Sequence, residues 1–405
     1  MKYYFPDSQD FVDPNFDFVS EKRELMHVRQ RDDVYAHEIL KRPYDGLLIS
    51  KAIVEGIPGQ PNKTRYSEGQ RYRLFREGAH RFFRLGKNYE VMGDSGAFSY
   101  MKEAKPPYSV DELIEFYVKT KVNRGISLDH IVFGYRDERS RVQDSLPKDK
   151  ESRVAITLEN AEEFYNRSKG NGFIPYGVAQ GWNLESYVQS AVSLQKMGYK
   201  HITLGGIITL DSHQILRLLS EIKDHSRNGI QLHLLGIGRL EFLKDFRSLN
   251  VSSIDTTTPL KQAFLDNRKN FRFGDKTYSA IRIPQSGENQ SVKRDIAAGR
   301  LDQQLVKNME VNALNALRGY DQGIVDLQTA LESVLSYEDV LSNRRDKLHS
   351  VYKRTLEEKP WKRCRCAICR DLGIEVIIYR GAERNKRRGF HNLHDFYKGV
   401  SKLDA

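Results

Sequence analysis

The alternation of short apolar segments with amphipathic segments between about residues 90 and 255 constrains the fold most. Strands are predicted to begin near residues 173, 201, 232 and 251. Helices are predicted between them, at about 184–197, 212–223 and 240–249, with Asp211 as an N-cap. This is the βα period of a parallel sheet, which suits both a closed (β/α)8 barrel and an open doubly wound sheet. The absence of a glycine-rich dinucleotide fingerprint disfavours the Rossmann fold.

The alternation stops after about residue 256, and residues 303–358 instead show helical periodicity. The apolar positions predicted to be buried there are Leu305, Val306, Met309, Leu314, Leu317, Leu331, Val334, Leu335, Val340, Leu341 and Leu348. We therefore expect the 405 residues to form two domains. A barrel would span 1–300, and a helical segment with a metal-binding subdomain and a basic tail would span 301–405.

The net charge of +11 favours a polyanionic partner, because Lys and Arg side chains neutralise phosphates. Arginines and aromatic residues alternate over residues 65–87. That segment suits phosphate contact with base stacking, and it equally suits an amphipathic helix with its aromatic rings in the core. No apolar run reaches the roughly 18 residues that span a bilayer, and the first residues lack a signal-peptide core, so we expect a cytoplasmic protein that binds no membrane.

All three cysteines lie within six residues, as Cys364, Cys366 and Cys369. An odd number of clustered thiols excludes a disulfide framework and is typical of metal ligands. A closed tetrahedral site needs a fourth ligand, which either His391 or His394 could supply. Such a Cys3His set would hold a structural Zn2+, since it leaves no open position for chemistry.

Two aspartates, Asp94 and Asp255, end predicted strands. In α/β barrels the carboxyl ends of the strands hold the active site, although an aspartate there also caps turns or helices. A third carboxylate of interest is Asp129, with Asp137 as its rival.

Further strand ends carry Gln180 and the pair Gly205-Gly206. Glycines allow a flat ligand to approach the main chain, but they also form ordinary strand-to-helix turns. Carboxylates, an amide and bare backbone at one barrel mouth would suit a planar, donor-rich heterocycle such as a purine.

Together these motifs resemble those of the queuine/archaeosine tRNA-guanine transglycosylase superfamily. They follow one another along the chain as Asp94-Ser95-Gly96, Gly177-Val178-Ala179-Gln180-Gly181, Leu204-Gly205-Gly206, His233-Leu234-Leu235-Gly236-Ile237-Gly238, Ile254-Asp255, and C-x-C-x-x-C followed by His391-Asn392-Leu393. Each motif alone is weak, but six in the right order are specific. The resemblance covers about residues 90–255 and 364–393.

The resemblance implies a TIM-type (β/α)8 barrel with a helical insertion and a C-terminal zinc-binding subdomain. It implies Asp255 as nucleophile and Asp94 as acid–base residue. Base recognition would fall to Ser95, Asp129, Gln180, Gly205 and Gly206, with Asp129 preferred over Asp137. The zinc ligands would be Cys364, Cys366, Cys369 and His391, the His-Asn-Leu match favouring His391 over His394.

The chain departs from the tRNA enzymes at several positions. Ala97 and Ser99 replace a glycine and a glutamine, and Thr256-Thr257-Thr258-Pro259 replaces a Pro-Thr-Arg segment. In these respects the chain is similar to the DpdA branch, which inserts 7-cyano-7-deazaguanine (preQ0) into DNA. We therefore expect DNA and preQ0 as substrates, with helper proteins of a DNA-modification system as further partners. The alternatives are the same exchange on tRNA, a non-catalytic nucleic-acid-binding protein, and a zinc hydrolase, which the Cys3His set disfavours.

Overall fold

The computed structural model describes residues 1–60, 64–136, 148–265, 269–342 and 345–403. The rival aspartate, Asp137, lies outside these residues. Contacts divide the chain into two compact units. The first comprises Met1–Gln9, Tyr44–Thr257 and Gly399–Ala405, and the second comprises Asp10–Pro43 and Thr258–Lys398. The expected division into domains 1–300 and 301–405 stays a prediction.

The first unit contains a closed barrel of eight parallel strands. The strands are β1 (Lys2–Pro6), β2 (Gly46–Ser50), β3 (Glu90–Asp94), β4 (Arg124–Ile126), β5 (Ile174–Ala179), β6 (His201–Leu204), β7 (Gln231–Leu234) and β8 (Val251–Asp255). Each strand pairs with the next, and β8 closes the barrel on β1 with Tyr4 opposite Asp255. The closed barrel is confirmed over the open sheet, and the four strand positions read from the sequence are confirmed with it.

Helices follow most of the strands, as the apolar periodicity predicts. The α-helices of this unit are Lys51–Val54, Glu68–Glu77, Ala79–Phe82, Val110–Thr120, Lys148–Arg167, Leu184–Met197, Ser212–Asp224 and Leu243–Ser248. Short 3-10 turns occupy Ala97–Tyr100, Ile207–Thr209 and Leu240–Phe242. Asp211 caps its helix as predicted, since its side chain accepts a hydrogen bond from the backbone N–H of Gln214.

The arginine- and aromatic-rich segment 65–87 forms two of these helices, and most of its aromatic rings are in the core. Tyr66, Phe82 and Phe83 are buried, whereas Tyr72 is exposed. The structure therefore favours the amphipathic-helix interpretation for the buried rings, because a ring in the core cannot stack on a base.

The second unit is largely helical. Its α-helices are Ala36–Ile39, Thr258–Leu265, Gln290–Ala297, Gln303–Gln322, Leu327–Ser342, Arg345–Glu358, Pro360–Arg363, Ala367–Leu372 and Gly381–Ser401. Its 3-10 turns are Ser286–Glu288 and Gly373–Ile377. Short strand pairs join Phe11–Val12 to Val34–Tyr35, Phe271–Phe273 to Lys276–Tyr278, and Ile281–Arg282 to Ile378–Tyr379.

Two details of the second unit differ from expectation. Leu305 is exposed, because the next residue, Val306, lies on the buried side of the helix. The basic tail is the helix Gly381–Ser401, in which Arg384 and Arg388 are fully buried. Arg384 pairs with Glu21 and Glu375, so part of the positive charge is neutralised within the fold.

No helix in the part of the chain that the structure describes is long and apolar enough to cross a membrane.

Candidate active site and metal centre

Asp94 ends strand β3, and its carboxylate is hydrogen-bonded to the end of the neighbouring strand β2 and to the turn that follows β3. Its Oδ2 accepts hydrogen bonds from Ser50 Oγ at 2.7 Å and from the backbone N–H of Gly96 at 2.9 Å. Gly96 adopts a left-handed conformation, with φ of 85°, which brings that N–H back onto the carboxylate. Burial raises the pKa of Asp94, and the nearby charge of Asp255 raises it further against the lowering effect of Ser50. Asp94 therefore favours its protonated form more than an ordinary aspartate does.

Asp129 follows strand β4 and lies at the centre of a buried hydrogen-bond network. Ser95 Oγ lies 3.1 Å from Asp129 Oδ1, and Gln180 Nε2 donates to Oδ2 at 2.8 Å. The Tyr100 hydroxyl lies 2.7 Å from Ser95 Oγ and 3.0 Å from the Asp129 carbonyl. Burial and the charge of Asp94 raise the pKa of Asp129 to about 7, although Gln180 and Ser95 oppose the shift. The network thus fixes both oxygens of a carboxyl group that titrates near neutrality.

Gln180 is held in one orientation, because its Oε1 accepts the backbone N–H of Val132 at 3.2 Å. The two glycines after β6 pack directly on this amide. A Cβ at Gly205 would lie 2.3 Å from Gln180 Nε2, and one at Gly206 would lie 2.6 Å from the Val132 carbonyl oxygen. Only residues without a Cβ allow the main chain to approach so closely.

Asp255 ends strand β8 and is buried. Its Oδ1 accepts the backbone N–H of Gly236 at 3.0 Å and lies 3.3 Å from His233 Nε2. Within the ranges that the structure describes, no donor contacts Oδ2. One oxygen is therefore anchored and the other is available.

The three carboxyl groups are near one another. Asp255 raises the pKa of Asp94 through its charge, and Asp94 does the same to Asp129. The structure thus brings the predicted residues at the ends of β3, β4, β5 and β6 into one network and places Asp255 within electrostatic reach of it.

Sequence reasoning assigned no role to several residues that build this site. Ser50 and Tyr100 hold predicted residues, and His233 contacts Asp255 from inside the barrel. Phe98 is 56% exposed, and its ring meets that of Phe133 edge to face at 5.6 Å. The strand-end position of Ser50 and the place of Phe98 just after Asp94 were signals available in the sequence. The contacts of His233 and Tyr100 required the fold.

A second candidate site, in the second unit, is a cluster of Cys364, Cys366, Cys369 and His391 whose ligand atoms all lie within 4.8 Å of one another. His391 Nδ1 is 3.3–3.5 Å from the three sulfur atoms. A tetrahedral ion with bonds of about 2.0 Å to nitrogen and about 2.3 Å to sulfur would separate them by a similar distance. His391 Nε2 lies 2.5 Å from the Arg272 carbonyl oxygen, which leaves Nδ1 as the ligand atom. The cluster fits a metal ion, and His391 rather than His394 belongs to it.

No family model matches the chain. Over 400 residues, which are 98% of this chain and 96% of the relative, it is 48% identical to a DNA-guanine transglycosylase of Salmonella montevideo. Identity at this level over nearly the whole length shows that the chain belongs to the tRNA-guanine transglycosylase superfamily, whose members are glycosyl-transferring enzymes. The closed barrel, its strand-end carboxylates and the Cys3His cluster agree with this assignment. Within that superfamily the chain belongs to the DNA-guanine transglycosylase family, the DpdA-like branch.

Proposed function

We propose that the chain exchanges guanine in DNA for 7-cyano-7-deazaguanine (preQ0) through a covalent aspartyl–glycosyl intermediate. The relative's name supports guanine in DNA as the substrate. The observation that carries the mechanism is the pairing of Asp255, which has one anchored and one free oxygen, with Asp94, whose pKa is raised. In a double-displacement exchange one carboxylate acts as nucleophile while a second carboxyl group, here the one whose pKa is raised, transfers the proton.

The target guanine leaves the base stack and enters the pocket. Asp129, Gln180 and Ser95 supply polar groups that are already oriented by their mutual hydrogen bonds. Gly205 and Gly206 let the Gln180 amide and the Val132 carbonyl oxygen pack directly against the main chain, which keeps the amide in place. The exposed ring of Phe98 adds an aromatic face at the mouth. This combination of fixed donors and acceptors with an aromatic face suits a purine or a 7-deazapurine.

In the first displacement, Oδ2 of Asp255 attacks C1′ of the deoxyribose. The C1′–N9 bond breaks, its electron pair goes to the guanine, and Asp94 gives that base a proton. Guanine departs, and the sugar remains bound to Asp255 as an ester.

In the second displacement, N9 of the incoming preQ0 attacks C1′ and the ester bond to Asp255 breaks. The Asp94 carboxylate takes the proton from N9, so the enzyme returns to its starting state. Two inversions at C1′ restore the original anomeric configuration.

For the Cys3His cluster we propose Zn2+ as the resident ion. It would be held by Cys364, Cys366, Cys369 and His391 and would hold the surrounding loops together, as four protein ligands do in structural sites. The exchange chemistry is assigned to the carboxylates of the barrel.

The direct test uses the variant Asp255→Asn with labelled preQ0 and, in parallel, duplex DNA or tRNA. The wild-type protein should incorporate label into DNA and form a covalent DNA–protein adduct that survives denaturation. Asp255→Asn should do neither, because an amide does not form the ester. Asp224→Asn is the matched control, since Asp224 is exposed at the end of a barrel helix.

The outcomes separate the alternatives. Incorporation into tRNA in place of DNA would establish the exchange on the other nucleic acid. An Asp255→Asn variant with full activity and a covalent adduct would remove Asp255 from the mechanism.

A further inference from the structure

A cleft of about 450 Å3 opens in the second unit beside the Cys3His cluster. Its walls come from the segment His37–Lys41, from the cysteine-bearing loop and from the helix Gly381–Ser401. The charged and imidazole side chains that line it are His37, Glu38, Lys41, Arg365, Arg370 and His394.

Three of these side chains are cations with no partner in the part of the chain that the structure describes. Lys41, Arg365 and Arg370 are exposed and make no ion pair or side-chain hydrogen bond there. Other basic residues nearby are paired: Lys362 contacts Asp321, and Arg363 contacts Glu358. The three unpaired cations thus face one cleft together.

The single carboxylate in the lining does not neutralise them. Glu38 accepts the backbone N–H of Tyr35 at 2.8 Å, as part of the capping of its short helix. Three cations and one occupied carboxylate leave the cleft with an excess of positive charge.

Nor do the arginines satisfy the thiols of the metal cluster. The described hydrogen bonds to sulfur include those from the backbone N–H of Cys366 to Cys364 and from that of Cys369 to Cys366, at 3.5 and 3.4 Å. Within the described ranges neither guanidinium donates to a sulfur atom. Arg365 and Arg370 follow Cys364 and Cys369 directly, so the folded cysteine loop places the backbone of both arginines at the cleft, and within the described ranges their guanidinium donors are free.

We propose that this cleft binds a phosphate group, and that its natural ligand is a phosphodiester of the DNA that the enzyme modifies. Guanidinium groups bind phosphate oxygens with paired hydrogen bonds, and a lysine adds a point charge. This inference rests on the proposed DNA substrate. A free phosphate or nucleotide shares the same chemistry, so the test must distinguish the two sources.

The test measures binding of a duplex oligonucleotide as a function of salt concentration. Each phosphate contact contributes about −0.9 to the slope of log K against log salt concentration for duplex DNA. The triple variant Lys41→Gln, Arg365→Gln, Arg370→Gln should therefore lose affinity at low salt, and its slope should become shallower by about 2–3.

The control removes two exposed positive charges from another surface of the protein. Lys196 and Lys200 are exposed and lie at the opposite end of the barrel from its mouth, since they end a barrel helix and precede β6. The variant Lys196→Gln, Lys200→Gln should keep the wild-type slope. The variant Arg365→Lys, Arg370→Lys keeps the positive charge and should keep most of the slope. Metal content serves as a check on folding, because an arginine variant whose cysteine loop is misfolded would bind less metal.

An unchanged slope in the triple variant, with normal metal content, would overturn the inference. Competition by inorganic phosphate together with an unchanged DNA slope would also overturn it, since the cleft would then serve a small ligand. Neither result affects the proposed function, which is scored separately by preQ0 incorporation in the wild-type protein.

Discussion

His233 is fully buried, where Nδ1 lies 2.9 Å from Ser253 Oγ and Nε2 lies 3.3 Å from Asp255 Oδ1. Its ring also meets those of Tyr4 and Tyr176 edge to face, which fixes its plane. We interpret His233 as a positioning residue, because its ring packs against Oδ1 of Asp255 beside the hydrogen bond from the Gly236 N–H and so restricts the orientation of the proposed nucleophile.

The variant His233→Leu should slow formation of the proposed covalent intermediate by about 10- to 100-fold, because a displacement of the proposed nucleophile by a fraction of an ångström would spoil its line of attack. DNA affinity should stay unchanged, since His233 does not contact solvent. Single-turnover adduct formation and DNA binding measure the two effects separately. His233→Gln, which keeps a polar group beside Oδ1, should recover part of the rate; an unaltered rate in His233→Leu would show that His233 does not position Asp255.

The choice between Asp129 and Asp137 shows that a sequence does not tell which carboxylates lie together in one site. In the resemblance, Asp129 fits the base-reading aspartate by its distance from the preceding helix, whereas Asp137, followed by Glu138, fits better by its immediate neighbours. The contacts of Asp129 with Ser95 and Gln180 come from three different strand ends, so only the closed barrel brings them together.

At the scale of elements, the helix Gly381–Ser401 decides which histidine joins the cysteines. His391 and His394 are three residues apart, yet only His391 is within reach of the three sulfur atoms. The side of the helix that faces the cysteine loop is set by packing, and the stacking of His391 on Phe271, with ring centroids 4.0 Å apart, is part of that packing.

The variant His391→Ala should lose the bound metal and unfold at a lower temperature, because structural zinc contributes directly to folding. His394→Ala is the matched control and should keep both. Metal content by atomic absorption, with thermal unfolding, makes the comparison. Equal metal loss in both variants, or in neither, would contradict the assignment.

At the scale of the molecule, one end of the barrel carries the candidate active site and the other carries a cluster of ion pairs. The carboxyl ends of the strands carry the candidate site, whereas the amino ends carry an ion cluster around Glu90. Arg124 Nε and Lys2 Nζ lie 2.8 and 2.5 Å from its carboxylate, and Tyr4 donates to it as well. Burial alone would raise the pKa of Glu90, but these donors outweigh it and hold the pKa at about 2.

Glu90→Gln should reduce the free energy of unfolding at pH 7 by about 2–4 kcal/mol, because it leaves Arg124 without its carboxylate. Since the pKa is lowered on folding, this stabilisation exists above the usual value of 4.5 and disappears as the pH falls toward 2. The difference between variant and wild type should therefore shrink from pH 7 to about pH 3 in denaturant titrations. The rate of exchange at neutral pH should stay unchanged, and a large loss of it would contradict the separation of the two ends.

By itself the sequence determined the βα alternation, the strand ends that carry Asp94, Gln180, Gly205 and Asp255, and the clustered cysteines. These are local signals, since periodicity, turns and ligand spacing lie within short segments. It did not reveal that Lys2–Pro6 and Gly46–Ser50 complete the barrel, because such short strands are recognisable only by their partners. Tertiary structure alone decided the closure of β8 on β1, the contact of His233 with Asp255, and which side of the last helix faces the cysteines. Each depends on residues distant in the chain, whose proximity follows from burying the apolar surface of the whole fold.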